Sequence, residues 1–223
     1  MNSSADHLNP GFFIGTPDYT SLCLSAFVVK CAAMELTAEH LSRQELEAAM
    51  DHLREAPKDN GVVQLIVCRP GVDQREVLEE AELDPVKGLI GDNWLVRGSW
   101  RTPDGSAHPE LQINIMNSRV TALVAQEKER WPLAGDQLYI DMDLGRENLP
   151  PGSHLAIGSV VLEVSPLPHT GCRKFVARFG MEAMKFVNSP VGIQLCFRGI
   201  NAKIIQGGIV KVGQTVRKIS NGT

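Results

Sequence analysis

The residues best suited to chemistry lie together late in the chain, in the run His169-Thr170-Gly171-Cys172-Arg173-Lys174-Phe175. A reactive cysteine acts through its thiolate, which neighbouring cations stabilise. Arg173, Lys174 and Arg178 supply such charge, and Gly171 gives the backbone freedom to present the sulfur. The same cations could hold a phosphate or a similar anion. The run predicts a reactive site at Cys172, with a buried structural cysteine as the alternative.

Other patterns of chemical interest are weaker. His169 and Cys172 are spaced like two ligands of a zinc site, but no second Cys/His pair has metal spacing, so we expect no structural zinc. The sequence has neither a phosphate-binding GxxxxGK[ST] loop nor a GxSxG nucleophile elbow. Cys196, in the apolar run QLCFRG, is expected in the core. Phosphate-loop and serine-hydrolase chemistry are therefore not predicted.

Length, composition, net charge and cysteine count limit the kinds of partner and the cellular compartment that we expect. The chain has 223 residues, 43% of them hydrophobic, with a net charge of −4 and no block of basic residues. We therefore expect neither nucleic-acid nor membrane-surface binding. The five cysteines are odd in number and irregularly spaced, and the N-terminus does not resemble a secretory leader. The stretch 12–34 is too interrupted by polar residues to span a bilayer. Reduced thiols in a cytoplasmic protein are the expectation.

Local patterns predict the elements that must position the Cys172 run. Residues 42–56 predict a helix with a capping box at Ser42 and Glu45. A buried strand is expected at 61–70, a second helix at 74–83, further strands at 111–116 and 137–141, and a short helix at 122–131. Residues 12–33 predict one or two strands. From Pro150 onward, dense turn signals separate strands at 159–164, 202–206 and 215–219, with one helix at 181–187. Short strands with regular turns favour a closed β-barrel or a strongly bent sheet.

The second half of the chain resembles the MOSC domain, the C-terminal module of molybdenum cofactor sulfurases. The resemblance rests on GSHLAIGSVVLEVSPLPHTGCRKF, then FG, then FRGINAKIIQGGIVKVGQTV, and on an upstream Gly-Leu-x-Gly-Asp element at 88–92. It extends over residues ~60–218, with boundaries good to a few residues. The matching positions are Gly152, Leu155, Ile157, Gly158, His169, Cys172, Phe175, Gly180, Arg198, Gly199, Ala202, Gly208 and Gly213. The chain departs from the family where Pro109 and Glu110 follow His108, and at Gly213-Gln214.

The resemblance implies an α+β fold, mainly β with α/β decoration, built on a MOSC-type β-barrel. Residues 60–220 would form the MOSC domain, and residues 1–59 an N-terminal strand and helix extension packed on it. The family implies a cysteine that ligates molybdenum or carries a persulfide, here Cys172. It also implies cofactor binding by His169, Arg173, Lys174 and Arg198. The chain has no room for the pyridoxal-phosphate domain of a full sulfurase, so the module would stand alone.

Three interpretations of function remain open at this point. In the first, Cys172 ligates the molybdenum of a molybdenum–pterin cofactor, and the protein reduces a small molecule such as an N-hydroxylated compound, fed by an electron-transfer partner. In the second, Cys172 carries persulfide sulfur from a pyridoxal-phosphate-dependent cysteine desulfurase, and no cofactor is needed. In the third, the fold is a non-catalytic scaffold.

Overall fold

Short alternating segments form twelve strands in the computed structural model, which describes residues 27–28 and 39–219. The strands are β1 (Phe27–Val28), β2 (Gly61–Cys68), β3 (Glu76–Leu78), β4 (Glu80–Asp84), β5 (Gly88–Leu89), β6 (Ile113–Asn117), β7 (Leu138–Asp141), β8 (His154–Ile157), β9 (Val160–Pro168), β10 (Ile200–Gln206), β11 (Gly208–Lys211) and β12 (Thr215–Ile219). The strands expected at 61–70, 111–116, 137–141, 159–164, 202–206 and 215–219 are thereby confirmed.

Seven of these strands close into a mixed β-barrel, in the order β2-β12-β8-β9-β10-β6-β7, with β7 pairing back to β2. Strands β6 and β7 are parallel, and the other neighbouring pairs in the barrel are antiparallel. β3 and β1 extend the sheet beyond β2, and β11, β4 and β5 form a separate three-stranded sheet. Closure leaves the inward-facing aliphatic side chains fully buried, as at Val63, Ile115, Leu155 and Leu162. The structure confirms the predicted α+β class and the barrel.

Helices pack on the outside of the barrel. They are α1 (Arg43–Ala48), α2 (Met50–Arg54), α3 (Trp94–Arg97), α4 (Ser118–Ala125), α5 (Arg173–Val187) and α6 (Pro190–Gln194), with 3-10 helices at Pro109–Leu111 and Lys128–Ala134. The predicted capping box is present, because the Glu45 amide donates to Ser42 Oγ while Glu45 Oε2 accepts from the Ser42 amide at 2.8 Å. Leu46 and Leu53 of the first two helices are buried in a second core between the helices and the barrel.

Helix α5, which follows Cys172, bends where it meets the N-terminal part of the described chain. Gly180 has a φ of +86°, so α5 consists of two helical segments. A side chain at Gly180 would also collide with the ring of His40. Glycine is required here both for the backbone conformation and for the close approach of the chain before α1.

The helix predicted at 74–83 is wrong. The structure forms β3 and β4 in this segment, and β4 pairs with both β11 and β5. Ala81 and Leu83 are buried, whereas Glu80 and Glu82 face solvent, so burial alternates with the two-residue period of a strand. Pairing with strands distant in sequence overrides the helix propensity of Glu, Ala and Leu. The helix expected at 122–131 lies earlier in the chain: α4 begins at Ser118 and ends at Ala125, because the next residue, Gln126, has a φ of +65°.

Several expectations fall wholly or partly outside the described residues. Of the strands predicted within 12–33, the structure describes the pair Phe27–Val28, which forms β1. Cys23 and Cys31 lie outside it. The division at residue 59 stays a prediction. No helix in residues 39–219 combines the length and the apolar character that crossing a bilayer requires.

Candidate functional site

The register of five barrel strands brings distant segments to one place. Ile66 of β2 pairs with Leu138 of β7, Leu138 with Ile115 of β6, Ile115 with Ile200 of β10, and Ile200 with Pro168 of β9. In the sequence, each of these five paired residues has a polar residue within three positions of it, inside the strand or just beyond its end. These polar residues are Arg69, Asp136, Asn114, Arg198 and His169. Strand pairing therefore assembles a polar cluster beside the otherwise apolar barrel interior.

A cavity of about 320 Å³ opens above this cluster, and its wall is strongly cationic. Six of the lining residues are cations, namely Arg69, Arg75, Arg97, Lys174, Arg178 and Arg198. Asp73 is the one carboxylate among the lining residues of the described chain. Such a cavity attracts an anion, because the low-dielectric walls concentrate the field of the arginines.

Most of the residues predicted from sequence line this cavity. Cys172 is an exposed free thiol directly before α5, and His169, Lys174 and Arg198 contribute to the same wall. Arg173 is exposed on the first turn of α5 but is not among the residues that line the cavity. The structure thus brings four of the five together, and the chemical roles assigned to all five stay predictions.

The floor of the cavity begins with a buried ion pair. Arg69 follows β2 and is 5% exposed; its guanidinium donates to both carboxylate oxygens of Asp92, at 2.8 and 3.0 Å. The two N–H groups of Nη1 donate to Asn114 Oδ1 at 2.7 Å and to the Gly135 carbonyl at 2.9 Å. Asn114 Nδ2 in turn donates to Asn201 Oδ1 at 2.7 Å. Bidentate pairing and these two further hydrogen bonds hold the Arg69 guanidinium in one orientation.

The chain of contacts continues through a histidine to a second ion pair. His169 Nδ1 lies 3.0 Å from Asn201 Oδ1, which is already an acceptor from Asn114, so Nδ1 is the donor. His169 Nε2 lies 3.1 Å from Asp136 Oδ1. Asp136 is fully buried and accepts from Arg198 at 2.8 and 3.0 Å. Seven residues, from Asp92 through to Arg198, are therefore connected by polar contacts of 3.1 Å or less, although His169 Nε2 itself makes no hydrogen bond within the described residues.

Charge in this network shifts the titration of two groups. Burial opposes ionisation of Asp136, but the adjacent Arg198 and His169 lower the pKa of its carboxyl below the ordinary value of 3.8. Burial and repulsion from Arg198 outweigh the attraction of Asp136 and lower the pKa of His169. The Asp136–Arg198 pair therefore stays ionised at neutral pH, and it holds the floor rigid.

The cations that line the cavity differ in whether their side chains already pair with other protein groups. Lys174 and Arg178 both contact Asp73, at 2.7 and 2.8 Å. The side chain of Arg97, by contrast, forms no hydrogen bond or ion pair with any residue in 27–28 or 39–219. Burial and the positive charges of Arg69 and Arg75 lower its pKa. An anion in the cavity would relieve this repulsion.

Three buried polar atoms of the lining residues also have no hydrogen-bond partner among the described residues, namely Arg198 Nε, Asn93 Oδ1 and His169 Nε2. Arg198 Nε is a donor, Asn93 Oδ1 is an acceptor, and a histidine ring nitrogen can be either. Buried groups of this kind are normally paired. The donor set thus fits an anionic ligand that also presents hydrogen-bonding N–H groups.

The remaining cysteines of the described chain lie elsewhere. Cys68 is buried in β2, and burial raises the pKa of its thiol to about 12. Cys196 is half-buried, packs against the barrel core and borders a separate, mainly apolar cavity of about 130 Å³. Its position against the core agrees with the sequence expectation. Cys68, Cys172 and Cys196 are all free thiols.

Sequence reasoning missed most of the floor and half of the cations. Arg69, Arg75, Arg97 and Asp136 were not singled out, because each stands alone in the sequence, and Asp92 was noted only as part of the element at 88–92. One signal was present: Arg69 directly follows a buried β-branched strand, where a charged residue needs a partner. Within the described ranges, no group of three or more His, Cys, Asp or Glu side chains is arranged to hold a metal ion.

Comparison with known proteins supports the fold. No protein-family model matches the sequence, and no curated protein is significantly similar to it. The structure resembles YuaD from Bacillus subtilis, with a TM-score of 0.56 and 14% identity over 73% of this chain and 97% of that one. A second structure, described as a hypothetical protein, has a TM-score of 0.51 and 18% identity over 74% of this chain and 70% of that one. YiiM from Escherichia coli has a TM-score of 0.47 and 18% identity over 73% and 71% of the two chains. Because YuaD is a MOSC-domain protein, the described chain has a MOSC-like fold.

Proposed function

We propose that this chain contains a MOSC-family module that binds a molybdenum–pterin cofactor in the cationic cavity, with Cys172 as the thiolate ligand of the metal. The observation that supports this most is the combination of six cations and one exposed thiol on the wall of a single cavity. A thiolate is a suitable soft ligand, and guanidinium groups suit a phosphate.

The chain's own residues would hold such a ligand from several sides. Two cations are most available to a phosphate. The side chain of Arg97 has no partner in the described chain, and Lys174 shares its partner, Asp73, with Arg178. Arg198 Nε and Asn93 Oδ1 offer a donor and an acceptor to a ring edge. Arg69 and Arg198 are held by their carboxylate partners, so they contribute a fixed positive field.

When bound, the metal would supply the two-electron redox chemistry. Reduction of an N-hydroxylated compound converts N–OH to N–H and water, consuming two electrons and two protons. The electrons would come from an electron-transfer protein, for which the exposed face around Cys172 and Arg173 is accessible. The side chain of His169 is 14% exposed and its Nδ1 is hydrogen-bonded to Asn201, so its role would be to hold Asn201 in place beneath the cofactor.

The exposure of Cys172 also supports a second function, that of a persulfide carrier. An exposed Cys172 thiolate can attack the outer sulfur of the persulfide on a cysteine desulfurase, taking that sulfur and releasing the desulfurase thiolate, whereas a buried thiol could not be reached. In this case the cavity cations would stabilise the anionic persulfide, and no metal would be needed.

One experiment separates the two functions. The protein is produced in a host that makes the cofactor, and molybdenum, pterin and protein-bound persulfide are measured for wild type, Cys172→Ser and Cys196→Ser. We expect about one molybdenum and one pterin per chain in wild type and Cys196→Ser, and loss of the metal in Cys172→Ser. Persulfide on Cys172 without metal would select the carrier. Absence of both from wild type would contradict both proposals.

A further inference from the structure

Helix α3 and the loop that follows it present apolar side chains to solvent beside the cationic cavity. Val96 is 90% exposed and Trp100 is 87% exposed, whereas Trp94 at the start of α3 is 4% exposed. Tryptophan has a large apolar area and is mostly buried in proteins. An indole held in solvent next to a cavity therefore calls for a physical reason.

Hydrogen bonds within the loop hold Trp100 in this position. The Ser99 amide donates to the Gly105 carbonyl at 3.2 Å, and Thr102 Oγ1 donates to the Ser99 carbonyl at 2.8 Å. Gly98 has a φ of +66°, and a side chain there would collide with the carbonyl of Gly105. Closing the loop in this way reduces the entropy that binding a ligand to Trp100 would cost.

A shallow cavity of about 570 Å³ adjoins the indole, and its polar lining is cationic. Trp100, Arg97, Arg101 and His108 line it, and no carboxylate does so within residues 39–219. The Arg101 guanidinium lies 4.8 Å from the centroid of the Trp100 ring. Arg97 lines both this cavity and the one that contains Cys172, so the two cavities are neighbours and share a cation whose side chain has no partner in residues 27–28 or 39–219.

We propose that this loop is a binding site for a flat aromatic ring that bears a negative charge. The ring stacks on the Trp100–Arg101 pair, and its carboxylate or phosphate meets Arg97. Stacking on tryptophan and arginine tolerates many ring types, while Arg97 requires the charge. Binding here needs neither molybdenum nor the thiol of Cys172, so the site is distinct from the proposed cofactor site except for Arg97, which lines both cavities.

Naphthoate is a suitable probe, with two matched controls: cyclohexanecarboxylate, which keeps the charge without a flat ring, and naphthalenemethanol, which keeps the ring without the charge. Ligand proton resonances are followed by NMR as the protein is titrated. We expect naphthoate resonances to move upfield, as they do over an indole face, and naphthoate to bind more tightly than either control. Equal affinity for cyclohexanecarboxylate, or no saturable naphthoate binding, would overturn the proposal.

Variants assign the binding to the loop. Trp100→Ala should weaken naphthoate about fivefold, the change that corresponds to about 1 kcal/mol of stacking, and Trp100→Phe should retain most of the affinity. Val96→Ala, a change at a similarly exposed position on the adjoining helix α3 and outside the cavity lining, should leave it unchanged. Arg97→Gln should weaken naphthoate but not naphthalenemethanol.

Cys172→Ser should bind naphthoate like wild type, which keeps this result separate from the fate of the proposed cofactor site. The melting temperature of each variant verifies folding, and an exposed side chain such as Trp100 should not alter it. Wild-type affinity in a folded Trp100→Ala protein would refute the assignment.

Discussion

Replacing Asp136 with Asn tests the buried network on which the cavity rests. Asp136 is fully buried, and it is the only carboxylate in the described chain that contacts Arg198, which is 6% exposed. Asn keeps the size and one acceptor oxygen but removes the negative charge. Arg198 would then be a buried cation facing a neutral amide.

The expected loss of stability follows from this geometry. Removing one partner of a buried ion pair costs about 3–5 kcal/mol, because the remaining charge stays desolvated. The retained oxygen can still accept from Arg198, and Arg198 keeps its bond to the Ala134 carbonyl at 3.0 Å. We therefore expect the lower end, about 3 kcal/mol, which corresponds to a fall of roughly 6–12 °C in melting temperature for a chain of this size.

Thermal and urea denaturation at pH 7 provide the measurement, and Asp141→Asn provides the control. Asp141 pairs with Arg119 at 2.7 Å, but the two side chains are 29% and 20% exposed, so that change should cost about 1 kcal/mol or less. Equal melting temperatures for Asp136→Asn and wild type would refute the view that this ion pair is a structural part of the site.

The dependence on pH gives an independent check. The pKa of Asp136 is lowered in the folded protein, so between that pKa and about 3.8 the unfolded chain binds more protons than the folded one. Its contribution is therefore present above pH 3.8 and is lost as the pH falls through the folded pKa. The stability difference between wild type and Asp136→Asn should shrink in this acidic range. A difference that grows on acidification would contradict the assigned ionisation.

Three further outcomes are expected. Cys172→Ser should lose the bound metal or persulfide, while its free energy of unfolding changes by under ~1 kcal/mol because the thiol is exposed. Cys196→Ser should keep the metal or persulfide. Metal analysis and urea denaturation measure both effects, and loss of binding in Cys196→Ser alone would contradict the prediction. Gly199→Ala should destabilise the fold by at least about 2 kcal/mol, because φ is +104° and the new methyl group meets the Ile115 carbonyl; an unchanged melting temperature would be inconsistent with this strain. Asn117→Ala should cost about 1–2 kcal/mol, because its Oδ1 caps α4 and its Nδ2 donates to a buried carbonyl, and circular dichroism during urea denaturation would measure it.

The barrel was predictable because its information is local. Strands such as β9, β10 and β12 are short β-branched runs bounded by glycine and proline, and these features do not depend on what the strand pairs with. The helix predicted at 74–83 failed for the complementary reason. Glu80 and Glu82 favour a helix locally, and only pairing of β4 with β11, more than a hundred residues away, selects the strand.

The residues of the candidate site also fall into two groups, those that local sequence features made recognisable and those that they did not. Cys172, His169 and Lys174 were recognisable because residues of chemical interest are adjacent in the sequence, and Arg198 because it belongs to the family pattern that the chain resembles. Arg97 and Asp136 had no such neighbours, although one is the unpaired cation of the cavity and the other holds its floor.

The sequence by itself determined the β-rich class, the first helix cap and the reactive segment around Cys172, since each depends on residues within one or two turns of the chain. Only the tertiary structure decided which charges meet. Arg69 and Asp92 are 23 positions apart, and Arg198 and Asp136 are 62 apart. A buried ion pair is stable only at close range and with its remaining donors satisfied. Those conditions are set by the register of the closed barrel, which no local stretch of sequence specifies.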